Sequence, residues 1–251
     1  TKKEKVAELG QLEGCVREHL NDTAPRRFAV LDPLKIVIES YPEDQEEWLE
    51  AANHPNKPEL GVRKIPFARE ILIERDDFME NAPSKFHRLK PGGEVRLRYG
   101  YIIKCERVVK DESGKITELR CSHDPASRSG SDESGRKVKG TIHWVAAKHA
   151  RFAAVRLYDR LFSVPFPGDN VAKELNPESL RIVSRAAIEP ALADAKPEQR
   201  FQFERLGYFV ADQALSTAGA PVFNRTVTLR DSWAKLEQEA LAALPRDDTG
   251  T

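Results

Sequence analysis

Cysteine is scarce. Three in 251 residues, Cys15, Cys105 and Cys121, are too few and too widely spaced for a disulfide framework or a Cys-x-x-Cys zinc site. They read as small buried hydrophobes, with Cys105 and Cys121 able to face each other on a hairpin, and this usage suits a reducing cytoplasm. Long apolar runs are missing: nothing approaches the roughly 18 residues of a membrane span, and no apolar stretch follows the basic start Thr1-Lys2-Lys3 as a secretory signal would. Net charge is missing too, since 40 Lys and Arg balance 40 Asp and Glu. That excludes a wholly basic, histone-like binder but not a local basic face. Metal-ligand spacing is absent: His54, His87, His123, His143 and His149 lack partners, and no acid lies between His143 and His149. There is no Gly-x-Ser-x-Gly elbow and no phosphate-binding loop, and Gly92-Gly93 reads as a turn. Asp159, within Tyr158-Asp159-Arg160, fits a salt-bridged structural role better than a catalytic one. Composition alone points to no enzyme.

What is present is a globular chain, with 40% apolar residues and 14 glycines. The length suits two domains of roughly 100–150 residues. Leu9, Leu12, Val16 and Leu20 recur at helical spacing until Pro25 stops them, leaving an amphipathic helix with no partner helix in the chain. From there the pattern is short strands: Ala29-Leu31, Leu34-Glu39, Glu70-Glu74, Lys115-Cys121, Val138-Val145, Ala153-Phe162, Leu180-Val183, Phe201-Val210 and Val222-Leu229. Glu94 to Val109 alternates as one strand, with Val95, Leu97, Tyr99, Tyr101, Ile103 and Cys105 on one face and Arg96, Arg98 and Lys104 on the other. Arg75-Phe78 reads as a short helix start, Glu112-Ser113-Gly114 as a hairpin turn, His123-Arg136 as a flexible polar loop and Glu237-Leu244 as a short helix. Many short strands with few helices predict a mainly β chain built of barrels or sandwiches.

The informative stretch is Lys85-Phe86-His87-Arg88-Leu89-Lys90 followed by Arg96 and Arg98, a local excess of cations in a neutral chain. Arg96 and Arg98 sit two apart on a strand, about 7 Å from each other, which suits adjacent phosphates or bases and equally suits a solvated sheet face. In Phe201-Gln202-Phe203-Glu204-Arg205 the phenylalanines point inward and Gln202 and Glu204 outward together. A carboxylate accepts an N–H while an amide donates and accepts, which matches uracil, whose N3–H lies between two carbonyls. An ordinary half-buried strand has the same pattern.

The strings NDTAPRRFAVLDPLKIVIE, HPNKPELG, EVRLRYGYIIKCERV, KVKGTIHWV, RLYDRLFSVPFPG, FQFERLGYF and PVFNRTVTLRDSWAK, from Asn21 to Lys235, closely resemble the C-terminal anticodon-binding region of the glutaminyl-tRNA synthetases, class I aminoacyl-tRNA synthetases. The resemblance implies two β-barrels of the ribosomal-protein-L25 type after a short helix: the end of a helical subdomain over 1–25, a first anticodon-binding barrel region over 26–136, a second over 137–238 with strands shared between them, and a linker or start of an extension over 239–251. It implies a cytoplasmic partner, the anticodon loop of glutamine tRNA, with no membrane and no DNA. Residue by residue, it implies that Arg26, Gln202 and Glu204 contact the middle anticodon base, with Arg205 the adjacent contact. Lys85, His87 and Arg88 fall at the third base, Arg96 and Arg98 at the first, and Asn21 near the same loop. His87 stands where a permanently cationic residue is expected. The reading requires these arms to face an open hollow rather than one another. HIGH-like and KMSKS-like motifs are absent, so the chain is expected to be inactive alone and to carry no cofactor. ATP with magnesium belongs to the catalytic domain of the same parent chain. The glutamyl branch, a non-specific RNA binder and a protein-docking barrel pair are the other readings.

Overall fold

The computed structural model describes residues 9–164 and 168–230. The helix expected over 237–244 lies outside the described residues. Helix α1 (Leu9–Thr23) opens the chain, followed by β1 (Arg26–Arg27), β2 (Ala29–Val30) and β3 (Pro33–Ile38). The ribbon of β4 (Glu46–Ala52) and β5 (Val62–Ala68) comes next, then β6 (Glu70–Glu74). β7 (Glu94–Leu97), β8 (Ile102–Lys110) and β9 (Ile116–Asp124) precede the short β10 (Thr141–Ile142) and β11 (Val145–Ala146). After β12 (Arg151–Tyr158) come the single turn α2 (Val171–Glu174), β13 (Leu180–Ile188), β14 (Arg200–Phe203), β15 (Gly207–Ala211) and β16 (Val222–Val227). Strand makes up 42% and helix 16%, so the chain is mainly β, arranged as one nearly closed barrel and one half-barrel.

Two seven-stranded sheets carry the fold, in the orders β10-β7-β8-β9-β3-β6-β11 and β1-β14-β15-β16-β12-β13-β2. In each, the two terminal strands are chain neighbours. β10 and β11 flank His143-Trp144, and β1 and β2 flank Phe28, so a single short bend feeds both edges of a curling sheet. The second sheet therefore takes strands from both early and late sequence. The larger core contains Phe28, Phe67, Trp144 and the inward rows of β3, β6, β7, β8 and β9. The smaller is built around Phe201, Phe203, Phe209 and Phe223, with Phe203 and Phe209 stacked at 4.2 Å. Leu20 and Ala24 of the first helix bury against Tyr208 and Val227, so a sheet face supplies the partner its apolar spacing calls for.

Two runs that read as single strands are hairpins. Val95 lies opposite Ile103, and Phe201 opposite Phe209. Each turn keeps the odd-numbered residues on the inner face, so the alternation passes through it unbroken. The run over 138–145 is likewise split at His143-Trp144. Cys105 and Cys121 are directly opposed on β8 and β9 and buried, as expected, whereas Cys15 on the outer side of the first helix is exposed. Burial and its neighbour Cys105 push the Cys121 thiol far up, so it stays protonated. Arg75–Asp77 forms one 3-10 turn, as expected. The loop after Asp124 is anchored rather than free: Asp132 pairs with Arg96, and Arg136 with Glu94 and Asp124.

Candidate nucleic-acid interface

The β7–β8 and β14–β15 hairpins meet tip to tip between the sheets. In the β7–β8 tip, Gly100 N–H donates to Leu97 O at 2.8 Å and Tyr99 takes a positive φ of 62°. In the β14–β15 tip, Leu206 N–H donates to Phe203 O at 2.9 Å and Arg205 takes φ 68°. Left-handed backbone is costly for a bulky side chain and points to a place where side-chain direction matters.

Glu204 and Arg98 join the tips as an ion pair. Glu204 is 5% exposed, not the outward arm expected beside Gln202. Its amide donates to Arg27 O, which carries the strand on alongside β1 and turns the carboxylate into the space between the sheets. Burial raises the Glu204 pKa above the usual carboxylate range. The charges of Arg98 and Arg63 oppose that shift and Glu189 adds to it. Its Oε1 is buried with no hydrogen-bond partner.

Arg205 donates to both oxygens of Asp77 at 2.5 Å and to His143 Nδ1 at 3.3 Å. A guanidinium only donates, so Nδ1 accepts and a neutral His143 carries its proton on Nε2, 3.8 Å from Glu74 Oε1. Asp77 is 1% exposed and lies 3.7 Å from Arg88. Its carbonyl accepts from Leu89 N–H at 2.9 Å, anchoring the loop that carries Lys85, His87 and Arg88. Arg88 lies over the Phe86 ring at 4.6 Å, while Lys85 and His87 are exposed. The same loop presses on Gly140, where an added Cβ would fall 1.7 Å from His87 O.

A third group lies at the end of the first helix. Arg26, 5% exposed, donates to Ala24 O at 2.6 Å, Asn21 O at 2.8 Å and Asn21 Oδ1 at 3.0 Å. Tyr208 donates to Asn21 Oδ1 at 3.1 Å and accepts from Gln202 Nε2 at 3.3 Å. Burial lowers the Arg26 pKa and raises that of Tyr208; Glu204, Tyr99 and Arg98 are close enough to act on Arg26 through their charge. Glu189 holds the junction from within. It pairs with Arg63 at 2.5 Å and Arg27 at 3.6 Å and accepts Phe28 N–H at 2.8 Å. Burial pushes Arg27 down to about 10 against the pull of Glu189.

The structure thus gathers Arg98, Glu204, Arg205 and Arg88 at the two tips and Asn21, Arg26 and Gln202 in one hydrogen-bonded chain. The amides of Arg96 and Arg98 both bond along the β10 side, to Gly140 O and Ile142 O at 2.9 Å, as their two-residue spacing requires. Their guanidiniums part: Arg96 holds Ser127 O at 2.7 Å and Asp132 at 2.5 Å, and Arg98 turns to Glu204. The expectation of arms open to solvent is corrected, because Arg26, Arg98, Glu204 and Arg205 are bonded within the protein. Burial at the sheet junction forces this: a charge removed from water needs a partner. Asp77, His143, Tyr208 and Glu189 have no motif of their own in the sequence. His143 and Tyr208 lie inside strings that carry the resemblance; Asp77 and Glu189 do not. Gly92 and Gly93 N–H are spent on Cys105 O and Lys90 O at 2.8 Å, so that turn has no donors left for a phosphate.

Two family profiles, each described as the anticodon-binding domain of class I tRNA synthetases (E and Q), match residues 24–124 and 141–212. The chain belongs to this family of anticodon-binding domains. It is 56% identical over 231 residues to a glutamine–tRNA ligase of Bradyrhizobium diazoefficiens, covering 92% of this chain and 41% of that protein. It is 57% identical over 235 residues to the one from Tolumonas auensis, covering 93% and 42%. With the Vibrio cholerae ligase it shares 54% over 241 residues, 95% and 43%. The chain spans about two-fifths of the length of these relatives.

Proposed function

We propose that this chain recognises the anticodon loop of glutamine tRNA, as the RNA-binding part of a cytoplasmic glutamine–tRNA ligase. The observation that carries the reading is the buried, unpartnered Oε1 of Glu204, placed among Arg98, Arg63 and Arg26 where the sheets meet. An ionised carboxylate oxygen without a donor is costly, and the imino N–H of a flipped-out uracil supplies the missing bond. Gln202, one strand position before, offers an amide to a base carbonyl. Single-stranded loops are read in this way, by unstacked bases bonded along their edges. Because the arms are paired with each other in the free protein, binding exchanges partners. Arg98 leaves Glu204 for the first base, Arg88 and Arg205 turn part of their donor set to RNA, and Lys85 and His87 add exposed contacts to the third base. Arg96, Arg26 and Asn21 complete the frame. The ligation step, with ATP and magnesium, belongs to the parent's catalytic domain outside these residues.

The reading is tested with anticodon stem-loop RNAs varied at the middle base. Affinity falls as salt rises, because phosphates are neutralised by Lys and Arg. Glu204→Gln, which replaces an acceptor by a mixed donor and acceptor, reduces discrimination for the cognate middle base by about 1–3 kcal/mol. Equal affinity of the unsubstituted chain for all four middle bases sinks the proposal.

A further inference from the structure

We infer that Asp77 is a positioning residue that couples the readout of two neighbouring anticodon bases, an inference that rests on the anticodon reading above. Two arginines from different sheets converge on this one carboxylate. Arg205, on the β14–β15 tip, grips both oxygens at 2.5 Å, and Arg88, on the 83–90 loop, lies 3.7 Å from Oδ1. The resemblance assigns Arg205 to the contact adjoining Gln202 and Glu204, which read the middle base, and Arg88 to the third. The Asp77 side chain is buried while those of Arg205 and Arg88 are 33% and 41% exposed, so the acid faces the protein and the guanidiniums reach the surface. The backbone of Asp77 ties down the same loop through Leu89 N–H, and the β-bridge Phe78–Leu89 follows directly. Arg205 stands at left-handed φ, and His143 Nδ1 fixes its guanidinium from the other side. One negative charge shared by two cations leaves a surplus positive charge and unspent N–H groups that point away from Asp77. A base carbonyl or phosphate that draws one arginine outward releases carboxylate to the other, so the two contacts are set jointly.

The test is titration of the chain with anticodon stem-loops carrying the cognate triplet or one change at the first, middle or third base, for the unsubstituted protein and for Asp77→Asn. Asn keeps the shape and removes the charge. Discrimination at the middle and third bases falls together, by about tenfold each, while the first-base ratio stays within about twofold. An equal loss at all three positions, no loss at any, or a loss at only one of the two overturns the coupling. If the unsubstituted chain discriminates nowhere, the anticodon reading itself has failed, which is a separate result. Should Asp77→Asn not fold, Arg88→Gln reads the same link. It lowers middle-base discrimination by about threefold although Arg88 is assigned to the third base, and an unchanged middle-base ratio overturns the inference.

Discussion

The β7–β8 and β14–β15 tips use the same device, a non-glycine residue at positive φ, yet they are braced in different ways. Tyr99 is held by packing: its ring lies 6.0 Å from Phe28, and Trp144 Nε1 donates to the neighbouring Arg98 carbonyl at 3.0 Å. Arg205 is held by charge, through Asp77. Packing against a dry core is indifferent to salt and to an approaching anion. An ionic brace on a partly exposed arginine is exchangeable, since a phosphate or base carbonyl offers it an equivalent partner. The difference teaches a division of labour: the first tip's backbone is a fixed wall from which Arg98 reaches, whereas at the second tip the exchangeable ion pair is itself the brace.

The most severe way to break the comparison is to remove what the packed tip stands on. Glu189 is buried, accepts from Arg63 and from the amide of Phe28, the residue against which Tyr99 rests, and pairs with Arg27 at 3.6 Å. Glu189→Ala strands the buried Arg63 and the half-buried Arg27 and frees that amide, a loss of about 3–5 kcal/mol in urea unfolding. A loss under about 1 kcal/mol means that the junction is held by apolar contact alone.

The same two tips show what could be read in advance. Inward rows such as Leu34, Ile36 and Ile38, the polar turn at Glu112-Ser113-Gly114 and the opposed Cys105 and Cys121 are written in local pattern, and they appear as expected. The tips were hidden because their turns preserve alternation and neither places glycine at the positive-φ position. β4 was hidden because only Leu49 and Ala51 of its seven residues are buried. At the site, residue type and family strings located the arms. Their partners were out of reach: Asp77 and Arg205 are 128 positions apart, and Arg63 and Glu189 are 126 apart. Pairing of that kind is a property of the closed fold, and nothing in the local sequence records which arm will be spoken for.

A smaller effect sharpens the exchangeable side. Gly140 touches the loop that carries Arg88, and a methyl there would overlap His87 O. Backbone cannot rotate away as a side-chain end can, so Gly140→Ala displaces the loop at a cost of about 1–3 kcal/mol. Third-base discrimination is lost and the middle ratio falls with it through Asp77, while Arg98, across the junction, keeps the first ratio. Loss of all three ratios in a protein that still unfolds cooperatively shows that the tips do not act independently.

The smallest effect is a matter of sign. Two carboxylates at this junction shift in opposite directions. Burial pushes Glu74 up, but the His143 ring beside it and hydrogen bonds from the amides of Leu31 and Asp32 outweigh it and hold its pKa below the ordinary value. Glu204 has burial without enough compensation and is raised. Glu74 therefore adds stability above its unfolded pKa, and that contribution is lost as pH falls through its lowered folded value. Glu204 does the reverse. Between its unfolded pKa and its raised folded pKa the native state binds more protons, so stability drops as pH climbs through that window, and the ionised group is a net cost above it. Glu204→Gln removes that cost and leaves Arg98, 37% exposed in its side chain, free to turn to water. The variant gains at most about 1 kcal/mol relative to the unsubstituted chain at pH 7, and less at pH 4, by urea unfolding at the two values. Cognate RNA affinity moves the other way, weakening as pH falls through the same window, because the ionised carboxylate accepts the base N–H more strongly than the protonated acid. If the variant is less stable at pH 7 than at pH 4 relative to the parent, Glu204 is a structural ion-pair member, and the cost that marks it as a waiting acceptor is not there.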